Sequence, residues 1–217
     1  MKIGILGTGN VGNTIAAKLL SLGHQVMMGS RSELNEKALA FAETHPQASA
    51  GTFETAAAFG EILFNCVKGE VCLQALQMTG TAMNGKILID LANPLDFSQG
   101  MPPGLIPAYS NFNSLGEEIQ KQFPEVYVVK TFNTMWCGLM VDPQQLNNGD
   151  HVNYISGNHQ PSKDRVKALL STFGWPESSL IDLGDISNAR ATEAVLPIWL
   201  RLYGVGKSAV FNFKIVR

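Results

Sequence analysis

The 217-residue sequence has little charge imbalance, few cysteines and no long apolar run, and each shortage removes a class of function. Sixteen Lys and Arg stand against eighteen Asp and Glu, a formal charge of −2. That leaves no electrostatic footprint for nucleic acid or for an anionic membrane, so the expected partner is a small molecule. Cys66, Cys72 and Cys137 form neither an even disulfide framework nor the two close couples that hold zinc, which reads as reduced thiols in a cytoplasmic protein. His24, His45, His151 and His159 are scattered, with no helical pairing and no carboxylate motif beside them, so no metal site is expected. No stretch is long and apolar enough to span a bilayer. The run from Met1 to Gly7 is too short for the hydrophobic segment of a signal peptide.

What is present is an ordinary globular composition, 45% apolar, arranged as short β-type runs alternating with helix-type stretches. Strands are expected at 2–6, 25–28, 62–67, 86–91 and 126–132, and helices at 11–22, 34–44, 53–59 and 71–79. This alternation builds a parallel sheet covered by helices on both faces. Residues 100–113, rich in Gly, Pro and Asn, read as a long functional loop. Beyond an irregular stretch come a strand at 152–156, a helix at 162–173, a short strand at 180–183 and a last helix at 187–202 that Pro197 should kink or end in its first half. The length suits one nucleotide-sized domain, residues 1–150, with a small α/β C-terminal portion, 151–217, for substrate contact or dimerisation.

Gly7-Thr8-Gly9-Asn10-Val11-Gly12 is a GxGxxG run directly after an expected strand and directly before an expected helix. The first glycine makes the tight turn, the second lets backbone approach a pyrophosphate, and the third lets helix pack on strand, while the helix N-terminus offers N–H groups to the anion. In this context the motif implies a Rossmann doubly wound sheet binding a dinucleotide. About 20 residues further on, an acidic residue would hold the ribose 2′-hydroxyl of NAD. Gly29-Ser30-Arg31-Ser32 stands there instead. A hydroxyl and a guanidinium suit a 2′-phosphate, which favours NADP(H), and Glu33 close by leaves NAD open.

With Gly29-Ser30-Arg31 added to the glycine motif, the chain resembles the F420-dependent NADP oxidoreductases, whose nucleotide domain is similar to that of the STEAP metalloreductases. The likeness continues through Asp90-Leu91-Ala92-Asn93-Pro94, Lys130-Thr131-Phe132-Asn133-Thr134 and Ser187-Asn188-Ala189-Arg190. The resemblance implies hydride transfer between NADPH and a deazaflavin (F420) or flavin-like ring, catalysed by proximity with no obligatory acid or base. It implies that Thr8, Asn10 and Val11 line the diphosphate and that Ser30 and Arg31 hold the 2′-phosphate. Cys66, Val67 and Lys68 would border the nicotinamide, and Ala92, Asn93 and Asn133 would approach the ribose or carboxamide. Many relatives carry a second basic residue one turn after the arginine, where this chain has Asn35 with Lys37 nearby, and often a proline where it has Lys68-Gly69.

Two other readings stay open. Reduction of a small carbonyl or imine needs a proton donor, for which Tyr109, Lys68 and Thr134 are the candidates. A catalytically silent NADP(H) sensor needs none. Arg190 and Glu193, three apart on the last helix, read as an intrahelical pair or a polar cluster over the site. Leu196, Trp199, Leu200 and Tyr203 fit an apolar face, either core or the contact of a homodimer.

Overall fold

The computed structural model describes residues 1–216. Its sheet begins with β1 (Lys2–Leu6), β2 (Gln25–Ser30), β3 (Ala48–Thr52), β4 (Ile62–Asn65) and β5 (Ile87–Asp90). The helices between them are α1 (Asn10–Ser21), α2 (Glu36–Thr44), α3 (Phe53–Phe59) and α4 (Cys72–Gln77). A two-stranded hairpin pairs β6 (Leu95–Asp96), ahead of the expected loop, with β7 (Gly104–Leu105) inside it, followed by α5 (Leu115–Gln122) and β8 (Tyr127–Thr131). Next come α6 (Cys137–Val141), β9 (Asn153–Ser156), α7 (Gln160–Thr172), β10 (Leu180–Asp182), α8 (Ala189–Ala194) and α9 (Leu196–Gly206).

The large sheet has the order β10-β9-β8-β5-β4-β1-β2-β3. From β3 to β8 every pairing is parallel, the classical doubly wound arrangement. β9 then pairs antiparallel to β8, and β10 parallel to β9. The strands that follow residue 150 thus extend the same sheet. β4 and β5 are buried along their whole length, as strands covered on both faces must be. One apolar layer packs Ile15, Ala16 and Leu19 of α1 with Leu139 and Trp175, and the other packs Ala56 and Ala57 of α3 with Leu76 and Ile119.

The last helix breaks at Val195, with Pro197 in the first turn of α9, where its missing N–H costs nothing. Of the apolar residues expected on one face of that helix, Leu196 is buried, while Trp199 stacks on Tyr203 and on Phe211 of the returning tail. No helix is long and apolar enough to cross a membrane among the described residues. In sequence the basic tail residues Lys214 and Arg217 read as able to reach a substrate phosphate or as simply solvated; Lys214 pairs with Asp150, and Arg217 lies outside the described residues.

Candidate active site

Sheet order reverses at β1, which has β2 on one side and β4 on the other. In open α/β sheets the carboxyl ends of strands at such a reversal form a crevice. Here it is a cleft of about 850 Å³ continuing into a smaller hollow of about 230 Å³, with Cys66, Val67 and Lys68 lining both.

The glycines shape the cleft floor. Gly7 has φ +119°, a region open to glycine, and a Cβ there would sit 2.8 Å from the Cys66 carbonyl oxygen. A Cβ on Gly12 would lie 2.3 Å from the Gly7 carbonyl oxygen, so α1 packs this close only without a side chain. Gly9 differs: a Cβ there meets nothing within 4 Å, so its backbone faces open space. It is also the N-cap of the 12-residue α1, which has neither a side-chain cap nor an acidic residue in its first turn. Its leading N–H groups are therefore available to an anion.

At the end of β2, Ser30 is buried and its Oγ is engaged within the loop, donating to the Ser32 carbonyl at 2.6 Å and accepting from the Ser32 N–H at 3.1 Å. Arg31 is exposed on the cleft rim, with no carboxylate in ion-pair range among the described residues. Asn35 is the N-cap of α2, accepting from the Ala38 N–H at 3.1 Å, and Lys37 joins Arg31 on the rim.

The smaller hollow is walled mainly by apolar groups, among them Val11, Leu91, Leu95 and Phe97, with Lys68 and Glu70 at its edge. Its far wall is held from behind. Asn93 donates to the Asn133 carbonyl at 2.8 Å and accepts from the Asn133 amide at 2.9 Å. Asn133 follows Phe132, whose φ of +64° is rare for a bulky residue. Asn153, at the start of β9, accepts from the Phe132 N–H at 3.1 Å and exchanges side-chain hydrogen bonds with Thr131. Burial pushes the Cys66 thiol well up, with Asp90 and Cys137 adding to the rise, so it is protonated at neutral pH.

The sequence profile of the family described as "NADP oxidoreductase coenzyme F420-dependent" matches residues 2–94. The crystal structure of a provisionally assigned F420-dependent NADP-reductase from Arthrobacter sp. FB24 superposes over 100% of both chains with a TM-score of 0.93 and 45% identity. The chain belongs to the F420-dependent NADP oxidoreductase family. Members of this family are NADP-dependent oxidoreductases. The F420-dependent NADP reductase of Methanothermobacter marburgensis is 27% identical over 93% of this chain and 92% of its own. Metalloreductase STEAP3 of Rattus norvegicus is 29% identical over 91% of this chain, which spans only 38% of that protein's length. An imine reductase from Streptomyces aurantiacus, at 14% identity and a TM-score of 0.63, shares the fold.

Within this family member, Gly7, Thr8, Gly9, Ser30 and Arg31 line the cleft, and Val11, Ala92 and Asn93 the hollow. Gly12 is buried beneath Gly7, Asn10 is exposed at the start of α1, and Asn133 stands behind Asn93. Of the proton-donor candidates, Lys68 lines both spaces, Thr134 is buried and Tyr109 is half-buried against the packing of α3 and α5. Sequence reasoning missed Phe97, which follows Pro94 in a loop where no periodicity marks it, and Gln74 of α4 and Met78 just past its end, which line the cleft.

The expected pairing of Arg190 with Glu193 is replaced by two contacts to other elements. Arg190 forks onto Glu117 at 2.7 and 2.5 Å, and Glu193 turns inward to Lys130. Residues three apart on a helix are neighbours, but each here found a better partner across an interface than its own neighbour.

Proposed function

We propose that the chain binds NADP(H) along the cleft and transfers a hydride between its nicotinamide and a deazaflavin or flavin-like acceptor at the smaller hollow. The observation that carries this reading is the joining of two spaces of opposite character at Cys66–Lys68. One has an open helix N-terminus and an arginine with no carboxylate in ion-pair range among the described residues; the other has apolar walls. The residues fit the nucleotide. Gly9 leaves room for a diphosphate at the uncapped start of α1. Arg31 and Lys37 supply positive charge where a 2′-phosphate would sit.

The bound nucleotide supplies the hydride chemistry, and the protein's part is orientation and exclusion of water. Val11, Leu91, Ala92, Leu95 and Phe97 offer an apolar lining against which a ring would rest. The Asn93–Asn133 pair fixes the polar edge of that surface, and the Asn133 amide is committed to Asn93. The Cys66 thiol, held protonated, provides bulk with no charge.

The test is to titrate the protein with NADPH and with NADH, then add F420, FMN and FAD in turn while following loss of reduced-nicotinamide absorbance. NADPH-specific oxidation with one carrier supports the reading and names the acceptor. Tight NADPH binding without turnover on any carrier refutes the transfer step and points to a sensor.

A further inference from the structure

Three charged side chains meet behind the smaller hollow, all but closed to water. Lys130 on β8 is 1% exposed, Asp90 on β5 0% and Glu193 on α8 1%. The Lys130 ammonium lies 2.8 Å from Asp90 Oδ2 and 2.7 Å from Glu193 Oε1, and donates at 2.5 Å to the Ala92 carbonyl. Burying such ions costs so much desolvation that apolar residues of equal volume generally stabilise a core at least as well. Stability alone therefore gives no reason for a cation and two carboxylates at this point.

The geometry does give one. The three partners of the ammonium belong to a strand, to the backbone leaving that strand, and to a C-terminal helix. Ala92 is gripped through both its backbone polar groups, one in each flanking peptide: its N–H donates to Asp90 Oδ1 at 3.1 Å, and its carbonyl accepts from Lys130. Asn65 at the end of β4 steadies the same Asp90 oxygen at 2.7 Å. On the other side, Glu193 accepts from the Leu115 and Gly116 N–H groups at 2.8 and 3.0 Å, the first amides of α5. A Cβ on Gly116 would approach Ala189 Cβ to 2.9 Å, so α8 is seated tightly against α5. Ala92 and Asn93 wall the smaller hollow.

We propose that Lys130 is a positioning residue for the transfer site: through Asp90 and Glu193 it fixes the Ala92–Asn93 wall and ties that wall to the seat of α8. This inference rests on reading the smaller hollow as the place where the acceptor meets the nicotinamide. Burial by itself would lower the Lys130 pKa, but Asp90 and Glu193 raise it above the ordinary lysine range, so the ammonium stays charged; burial pushes the Glu193 carboxyl up, against the pull of that ammonium. Lys130 touches neither hollow directly and acts through the backbone it holds.

The test uses the full chain carrying Lys130→Met, which keeps the unbranched four-atom stem and removes the ammonium. In the ligand-free protein, backbone hydrogen exchange at Leu91–Asn93 is expected to quicken by about tenfold or more, with β1 and β2 unchanged. The variant is then titrated with 2′,5′-ADP, which lacks the nicotinamide half, and with NADPH. Affinity for 2′,5′-ADP should stay within about twofold, while the advantage of NADPH over it falls about tenfold, a split that general loosening does not produce. Unchanged exchange at Leu91–Asn93, or an equal rise throughout the sheet, overturns the positioning role. Wild-type protein that binds neither nucleotide overturns the NADP(H) reading, and exchange still judges Lys130. If Lys130→Met fails to fold, Glu193→Gln decides: it keeps the Lys130–Asp90 pair, and its exchange should quicken at Leu91–Asn93 as well as at Leu115–Gly116. Quickening confined to Leu115–Gly116 overturns the proposal.

Discussion

Replacing Gly69 by alanine should separate nucleotide binding from hydride transfer. Gly69 is buried, and a Cβ there would lie 2.0 Å from the Asn93 carbonyl oxygen, 2.6 Å from its carbonyl carbon and 3.0 Å from Pro94 Cα. All three are backbone atoms, so no side chain can swing aside. Restoring an ordinary contact of about 3.4 Å needs a displacement of roughly 1.4 Å. The Asn93 side chain resists through its two bonds to Asn133, and its carbonyl through the 2.8 Å bond from the Leu95 N–H. Such overpacking costs about 1–3 kcal/mol. The loss of glycine's freedom in the unfolded chain works the other way by only about 0.4–1 kcal/mol. The clash wins, and Tm should fall by about 2–8 °C in a chain of this size. The larger effect is on the site, because a shift of about 1 Å in a positioning element can cost on the order of 100-fold in rate. Stopped-flow hydride transfer to the acceptor should therefore slow by about 30–100-fold while 2′,5′-ADP affinity, set at the Arg31 end, stays put. An alanine variant with Tm within about 1 °C of wild type and a rate within about threefold would show that the wall yields freely, and the reasoning would be wrong.

Arg31→Ser should weaken NADPH binding by about 10–30-fold and leave NADH unaffected, the low end of a charge-assisted bond because Arg31 is exposed; equal losses for both nucleotides would assign Arg31 elsewhere. Added salt should erode NADPH affinity in wild type more than in this variant. At the far edge of the sheet, Asp182 resists the upward push of burial because Lys163 and Lys167 hold its carboxyl down to about 2 from an ordinary 3.8. A depressed carboxyl contributes stability that is present above its unfolded pKa and is lost as pH falls through the folded one. Asp182→Asn should thus flatten the acid limb of stability between about pH 4 and pH 2; an unchanged limb in acid denaturation would refute the ion-pair account.

The parts of the fold legible in the sequence are those where local chemistry and packing ask for the same thing. β1 and α3 lie where periodicity and the glycine motif put them. β3 was missed because Ala-Ser-Ala-Gly-Thr carries no bulky apolar residue and, as an edge strand, is only half-buried. α5 carried a readable signal in Ser114-x-x-Glu117: the serine hydroxyl accepts from the Glu117 N–H at 3.1 Å and donates to its carboxylate at 2.7 Å. Spacing alone pointed to the glycine loop and Arg31, and the fold puts both at the cleft. The Lys130 clamp could not be found that way, since Glu193 lies 63 positions beyond Lys130 and only the seating of α8 on α5 brings them together. Spacing did not show that the Ser30 hydroxyl, while lining the cleft, also bonds within its own loop.

The antiparallel pairing of β8 with β9 gives the molecule a front and a back. β9 and β10 end at the edge away from the cleft, and α7 starts there with the exposed Gln160. A fluorophore or a surface tether placed at that residue would stand a full strand length from the cleft. It would report on the enzyme, or immobilise it, with the mouth of the cleft left facing solution.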